Sequence, residues 1–160
     1  MASSESTAAL GAVLAKWALE PGGLLPALHE VQDLLGWIPP DAVADIAAAF
    51  NLSRAEVHGV ITYYHHFRSQ PAGRHVVQVC RAEACQAMGA DALLAHAGRR
   101  LGCGAHANSA DGRYTLEPAY CLGLCASSPS IRVGDRLHAR ITPEKFDRVI
   151  AALEDAQCVQ

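Results

Sequence analysis

The apolar pattern of this chain changes its period once, and that change limits the folds open to it. Before Arg68-Ser69-Gln70-Pro71-Ala72-Gly73, apolar residues recur at helical spacing. After it, short β-branched runs alternate with helical segments. In the first part, residues 8–19 predict a helix that stops at Pro21-Gly22-Gly23. Pro26 suits the first turn of a second helix, where its missing N–H has no partner to lose. Leu28, Val31 and Leu35 line one face of that helix, and Gly36 ends it. A third helix follows Pro39-Pro40, with Val43, Ile46, Ala47 and Phe50 on one face and Asn51 as its close. Ser53-Arg54-Ala55-Glu56 reads as a capping box for a fourth, whose apolar face is Val57, Val60, Ile61 and Tyr64.

In the second part, residues 75–79 are β-branched and mostly apolar, the pattern of a buried strand. Residues 86–101 predict one helix with Leu93, Leu94, Ala97 and Leu101 inward and Gly102 as its stop. Asp111-Gly112 is a turn before a strand at 114–116. Residues 130–133 and 136–141 form a hairpin about Gly134-Asp135, with alternate residues inward. Thr142-Pro143 caps a last amphipathic helix bearing Phe146, Val149, Ile150 and Leu153. The expected class is α/β (α+β), a helical region over 1–70 followed by an α/β region over 71–160. Alanine supports the helices: it supplies 30 of the 160 residues and has the best helix propensity.

Charge excludes some partners. Thirteen Lys+Arg against sixteen Asp+Glu leave a net charge of −3, which argues against nucleic-acid or anionic-membrane binding. The start of the chain has no basic region before its apolar stretch and carries Glu5, so no targeting segment is expected. Its apolar runs are too short to span a bilayer. A cytoplasmic chain is the expectation, and there six cysteines point to metal binding or catalysis rather than disulfides.

Cys80 and Cys85 form C-x4-C directly after the first strand, and Cys121 and Cys125 form C-x3-C just after another. Two pairs leaving strands can converge at one end of a sheet, where α/β folds commonly place their sites. Four thiolates, two per iron, are the ligand set of a [2Fe–2S] cluster. Zinc sites more often use C-x2-C knuckles, and neither pair has that spacing, although zinc and plain core packing stay open on spacing alone. Gly123 allows the backbone close to the sulfurs. Cys103 and Cys158 have no partner at ligand spacing and read as incidental thiols. No phosphate loop and no C-x-x-C is present, which disfavours nucleotide binding and thioredoxin-type exchange. Tyr63-Tyr64-His65-His66 reads as packing or partner surface, and His29, Glu30 and Asp33 as a solvated helix face. Arg81, Arg99, Arg100 and Arg113 either flank the cysteines or lie on the surface.

Four segments carry a resemblance: LHEVQDLLGWIPPDAVADIAAAFNLSRAEVHGVITYYHHF, HVVQVCRAEAC, AYCLGLCASSP and ITPEKFD. Over residues 24–153 the chain resembles the thioredoxin-like [2Fe–2S] subunits of respiratory complex I, of NAD-reducing hydrogenases and of NAD-dependent formate dehydrogenases. Complex I relatives usually carry a Thr-Gly-containing loop between the first two cysteines. Here that loop is Arg81-Ala82-Glu83-Ala84, and the segments CRAEACQAMG and YCLGLCASSP look most like the gamma subunit of the soluble, molybdenum-containing formate dehydrogenases. The resemblance implies a helical N-terminal region followed by a thioredoxin-like domain, and one [2Fe–2S] cluster on Cys80, Cys85, Cys121 and Cys125. It implies an electron carrier with no catalytic residues of its own. Partner subunits would carry FMN, the NAD(H) site and a formate-oxidising molybdenum centre. Residues 24–67, with Trp37 and Ile38, are expected to dock on the flavin-bearing partner.

Overall fold

A computed structural model describes residues 4–155. The chain divides into two compact units, Met1–Pro71 and Ala72–Gln160. The first is helical, with α1 (Ser4–Trp17), α2 (Leu24–Leu35), α3 (Ala42–Ala49) and α4 (Arg54–Tyr63). Leu28, Val31, Ile38, Ile46 and Val57 are its most deeply buried side chains. Local chemistry sets the helix ends. Gly36 takes φ +80° and donates its N–H to the Gln32 carbonyl at 2.7 Å, closing α2. The Glu56 N–H donates to Ser53 Oγ at 3.2 Å and the Ser53 N–H to Glu56 Oε2 at 2.8 Å, a complete capping box.

Three expectations are corrected in this unit. The first helix ends at Trp17, earlier than Leu19, and a run of turns leads to α2. Tyr64 leaves the apolar face: it follows the end of α4 with extended backbone and is 42% exposed. Glu30 keeps the solvent exposure expected of its helix face, and Lys16 Nζ and Trp17 Nε1 each donate to its Oε2 at 2.7 Å and tie α2 to α1. Ile38 is core rather than docking surface, 1% exposed, and its N–H donates to the Arg68 carbonyl at 2.8 Å.

The second unit is a five-stranded sheet with helices. Its elements are β1 (His75–Cys80), α5 (Glu83–Ala87), α6 (Ala90–Leu101), β2 (Ala107–Asn108), β3 (Tyr114–Ala119), β4 (Ser130–Val133), β5 (Arg136–Ala139) and α7 (Pro143–Asp155). The strand order is β2-β3-β1-β4-β5. β1 and β3 are parallel; the other pairings are antiparallel. Val77 and Val79 of β1, Leu116 of β3 and Ile131 and Val133 of β4 form the buried face, with Leu93, Ala97 and Leu101 of α6 and Phe146 and Ile150 of α7 packed in the same core. Gln78 and Glu117, directly opposite each other in the ladder, bond across the other face at 2.9 Å.

The single helix expected at 86–101 is two. Gly89 takes φ +86°, outside the helical region, so the chain turns between α5 and α6. The short α5 begins at Glu83 and carries Cys85. The third strand runs to Ala119, past the expected Leu116, and gains a two-residue neighbour, β2, that periodicity cannot reveal. Among the described residues no helix is long and apolar enough to cross a membrane.

Candidate metal centre

The parallel pairing of β1 with β3 decides where the cysteines meet. Cys80, the last residue of β1, stands opposite Ala119, the last of β3. Both strands therefore release their chains at the same end of the sheet. From β1 the chain passes through Arg81 and Ala82 into α5, which holds Cys85. From β3 it runs through Tyr120 to Cys121 and then to a single 3-10 turn at Cys125–Ser127. Cys80 thus ends the strand itself instead of lying on the loop after it.

The two pairs differ in setting. Cys80 and Cys85 are each 2% exposed and pack with Ala90, Ala82 and Leu122. Cys121 and Cys125 are exposed, with their Sγ atoms 3.7 Å apart. Two thiolates on one tetrahedral metal, at a metal–sulfur bond of about 2.3 Å, lie about 3.8 Å apart. The observed separation is that of a pair ready to share one metal. Cys85 is hydrogen-bonded to Cys80 and Cys121 to Cys125, so the thiols stand as two pairs. A [2Fe–2S] cluster takes its ligands two per iron, whereas a structural zinc takes all four on one ion. The donor set present fits the two-iron group.

The surroundings favour thiolate chemistry unevenly. Burial holds Cys85 toward its neutral form, but hydrogen bonding to Ser128, Cys80 and Ser130 outweighs it, and the thiol ionises below its ordinary value. The distances are 3.4 Å to Ser128 Oγ and 3.7 Å to Ser130 Oγ. Cys125 is pushed the other way by its hydrogen bond to Cys121 and by the charge that Cys121 develops, with smaller contributions from Cys85 and Cys80. That mutual electrostatic influence is what four thiols at one sheet end produce, and a bound cation relieves it. Gly123, at φ +79°, turns its N–H onto Cys121 Sγ at 3.4 Å. A Cβ on Gly123 would meet nothing within 4 Å, so the glycine serves the backbone angle and not a close approach. Cys121 itself holds φ +101°, a strained angle for a residue with a side chain.

The other candidate residues fall elsewhere. Cys103 is half-buried against the core of the second unit, where burial raises its thiol pKa. Cys158 lies outside the described residues. Arg81, beside Cys80, is engaged by Asp91: its Nε and Nη2 both donate to Asp91 Oδ1, at 2.9 and 2.7 Å. Arg100 pairs with Glu154 and Arg113 with Asp111, away from the cysteines. His29 is exposed, as the helix-face reading expects, and contacts His66 and Phe67 ring to ring, at 4.9 and 5.0 Å between centroids. Sequence reading passed over Ser128 and Ser130. The run Ser127-Ser128-Pro129-Ser130, one residue beyond Cys125, was the available signal. A cleft of about 590 Å³ opens beside this turn, lined by Met88, Ala126, Ser128, Pro129 and Arg140 among others.

A parallel strand pair delivers two thiol pairs to one sheet end, a donor set able to hold a metal group. The chain belongs to the thioredoxin-like [2Fe-2S] ferredoxin family, whose sequence profile matches residues 10–154, and one [2Fe–2S] cluster is the cofactor that membership implies. It is 33% identical to a subunit of the NADH-quinone oxidoreductase of Pseudomonas aeruginosa over 128 residues, 80% of this chain and 77% of that one. It is 28% identical to NADP-reducing hydrogenase subunit HndA of Solidesulfovibrio fructosivorans over 130 residues, 81% of this chain and 76% of that one. Its fold superposes on a chain of the NAD+-reducing [NiFe]-hydrogenase in the H2-reduced state with a TM-score of 0.68 and 25% identity, covering 83% of this chain but only 22% of the hydrogenase chain.

Proposed function

We propose that this protein is the [2Fe–2S] electron-transfer subunit of a multisubunit NADH-linked oxidoreductase, with Cys80, Cys85, Cys121 and Cys125 as the four ligands. The observation that carries the reading is the convergence of two thiol pairs at the end of β1 and β3, one pair at the 3.7 Å spacing of a shared metal. When bound, the cluster supplies a site that accepts and returns one electron. The chain's own residues do the rest. Cys80 and Cys85 anchor the group on a rigid strand end and a short helix, away from water. Cys121 and Cys125, both exposed, would supply the other two ligands from the loop after β3. Four thiolates leave no iron position for a substrate, so the protein carries electrons and does not itself turn over NAD or formate.

The partner in this reading is a flavoprotein that carries FMN and the NAD(H) site. Exposed Leu34, Tyr63 and Tyr64 on the first unit are surface available for such contact. The quinone-reductase and hydrogenase relatives favour a complex I-type or hydrogenase-type host. The finer assignment to a molybdenum-containing formate dehydrogenase rests on the segments CRAEACQAMG and YCLGLCASSP, including the Arg81-Ala82-Glu83-Ala84 loop. Anaerobic purification with its partners tests the reading. Iron and inorganic sulfide in equal amounts, a co-purifying flavoprotein, and bleaching by Ala at Cys80, Cys85, Cys121 or Cys125 but not at Cys103 are expected. Stoichiometric zinc, or bleaching by Cys103→Ala with colour retained in Cys85→Ala, overturns it.

A further inference from the structure

Ser128 links the two cysteine pairs through one hydroxyl. Its Oγ donates to the Cys125 carbonyl at 2.9 Å and lies 3.4 Å from Cys85 Sγ, which donates to it while protonated. Ser130, fully buried, stands on the same sulfur at 3.7 Å. A serine hydroxyl has one proton to give and two lone pairs to receive with. A cysteine that ligates a metal is a thiolate and has lost its own proton. Once Cys85 is a ligand, the Ser128–Cys85 contact can therefore persist only with Ser128 as the donor. That proton then has two acceptors within reach, the Cys125 carbonyl and the Cys85 sulfur.

We propose that Ser128 sets the reduction potential of the cluster by turning its hydroxyl proton onto Cys85 Sγ when the cluster is reduced. This rests on the ligand reading above. The added electron makes the ligand sulfurs more negative and leaves the Cys125 carbonyl unchanged, so only the sulfur becomes a better acceptor on reduction. Hydrogen bonds to charged acceptors are the stronger ones, and hydrogen bonds to cluster sulfurs raise the potential. The reaction stays a plain one-electron exchange with the partner. The serine proton moves between two hydrogen bonds and never leaves its oxygen. Ser130 bonds the same sulfur through its hydroxyl at 3.7 Å and through its backbone, so its share persists in every Ser128 variant. Two further polar groups of the cysteine loops are already engaged. Arg81 is held by Asp91, and the Gly123 N–H is committed to Cys121.

The test is a redox titration of the loaded full-length protein, followed by electron paramagnetic resonance, in the wild type, Ser128→Ala, Ser128→Gly and Ser128→Thr. Loss of the hydroxyl in Ala or Gly should lower the reduced-to-oxidised ratio at fixed ambient potential by about tenfold, which for a one-electron couple is a shift of about 59 mV to lower potential. Thr restores the donor and should titrate close to the wild type. Either hydroxyl-free variant suffices should the other fail to load. A wild type with iron and sulfide whose hydroxyl-free variants titrate at the wild-type potential overturns this proposal alone. A wild type without iron and sulfide overturns the ligand reading and the proposal with it.

Discussion

Gln32 offers a quantitative test of how the first unit holds its last segment. The side chain is 3% exposed and engages backbone at both ends. Its Nε2 donates to the His66 carbonyl at 2.8 Å and its Oε1 accepts from the Arg68 N–H at 2.7 Å. Gln32→Leu keeps the volume but leaves both backbone groups without that partner. An orphaned buried group costs about 1–3 kcal/mol, and these two are only part-buried, so a loss of about 2–4 kcal/mol is expected. The assay is urea denaturation followed by tryptophan fluorescence. Both tryptophans, Trp17 and Trp37, lie in the first unit, so the signal reports that unit. With an m-value of about 1.5 kcal/mol/M, the midpoint should fall by about 1.3–2.7 M. Gln32→Glu adds a sign. Its carboxylate still accepts from Arg68 but has no proton for His66, so at neutral pH it should also be destabilised. Burial raises the folded pKa of such a group, so its deficit should shrink as pH falls toward the ordinary glutamate value of about 4.3, where it regains a donor. A midpoint shift below about 0.3 M for Leu, or a Glu deficit that grows on acidification, would refute the reasoning.

Two further outcomes follow from the second unit. Gly123→Ala should cost about 1–2 kcal/mol in the loop because of its positive φ, with no steric clash, and Gly123→Asn should cost less; loss of visible absorbance to a chelator should rank Ala as faster than Asn. Asp111 accepts from Ser109 Oγ, then from the Arg113 N–H and side chain, and its pKa lies well below the ordinary 3.8. A depressed carboxyl contributes stability that is present above its unfolded value and lost as pH falls through the folded one. Acid titration by circular dichroism should therefore show the gap between wild type and Asp111→Asn closing below about pH 4.

Much of this molecule is legible without coordinates because its signals are local. Helix periodicity, the Ser53–Glu56 capping box and the glycines after α2 and α6 act through neighbours three or four residues away. The same holds for the cysteine spacing, since the members of each pair stand only four or five residues apart and declare thiolate chemistry by composition. What only the tertiary structure decides depends on distant partners. Parallel register of β1 with β3 brings Cys80 opposite Ala119, and no property of either strand alone dictates that partner. The break at Gly89 aims α5 so that Cys85 meets Ser128 and Ser130, 43 and 45 residues away. The burial of Ile38 and the coupling of Glu30 to α1 likewise arise when helices pack, because a side chain's exposure is set by what the rest of the chain lays over it. Sequence declares which atoms are available to hold a cluster; folding decides which hydroxyls and amides surround its sulfurs, because those contacts cross dozens of residues.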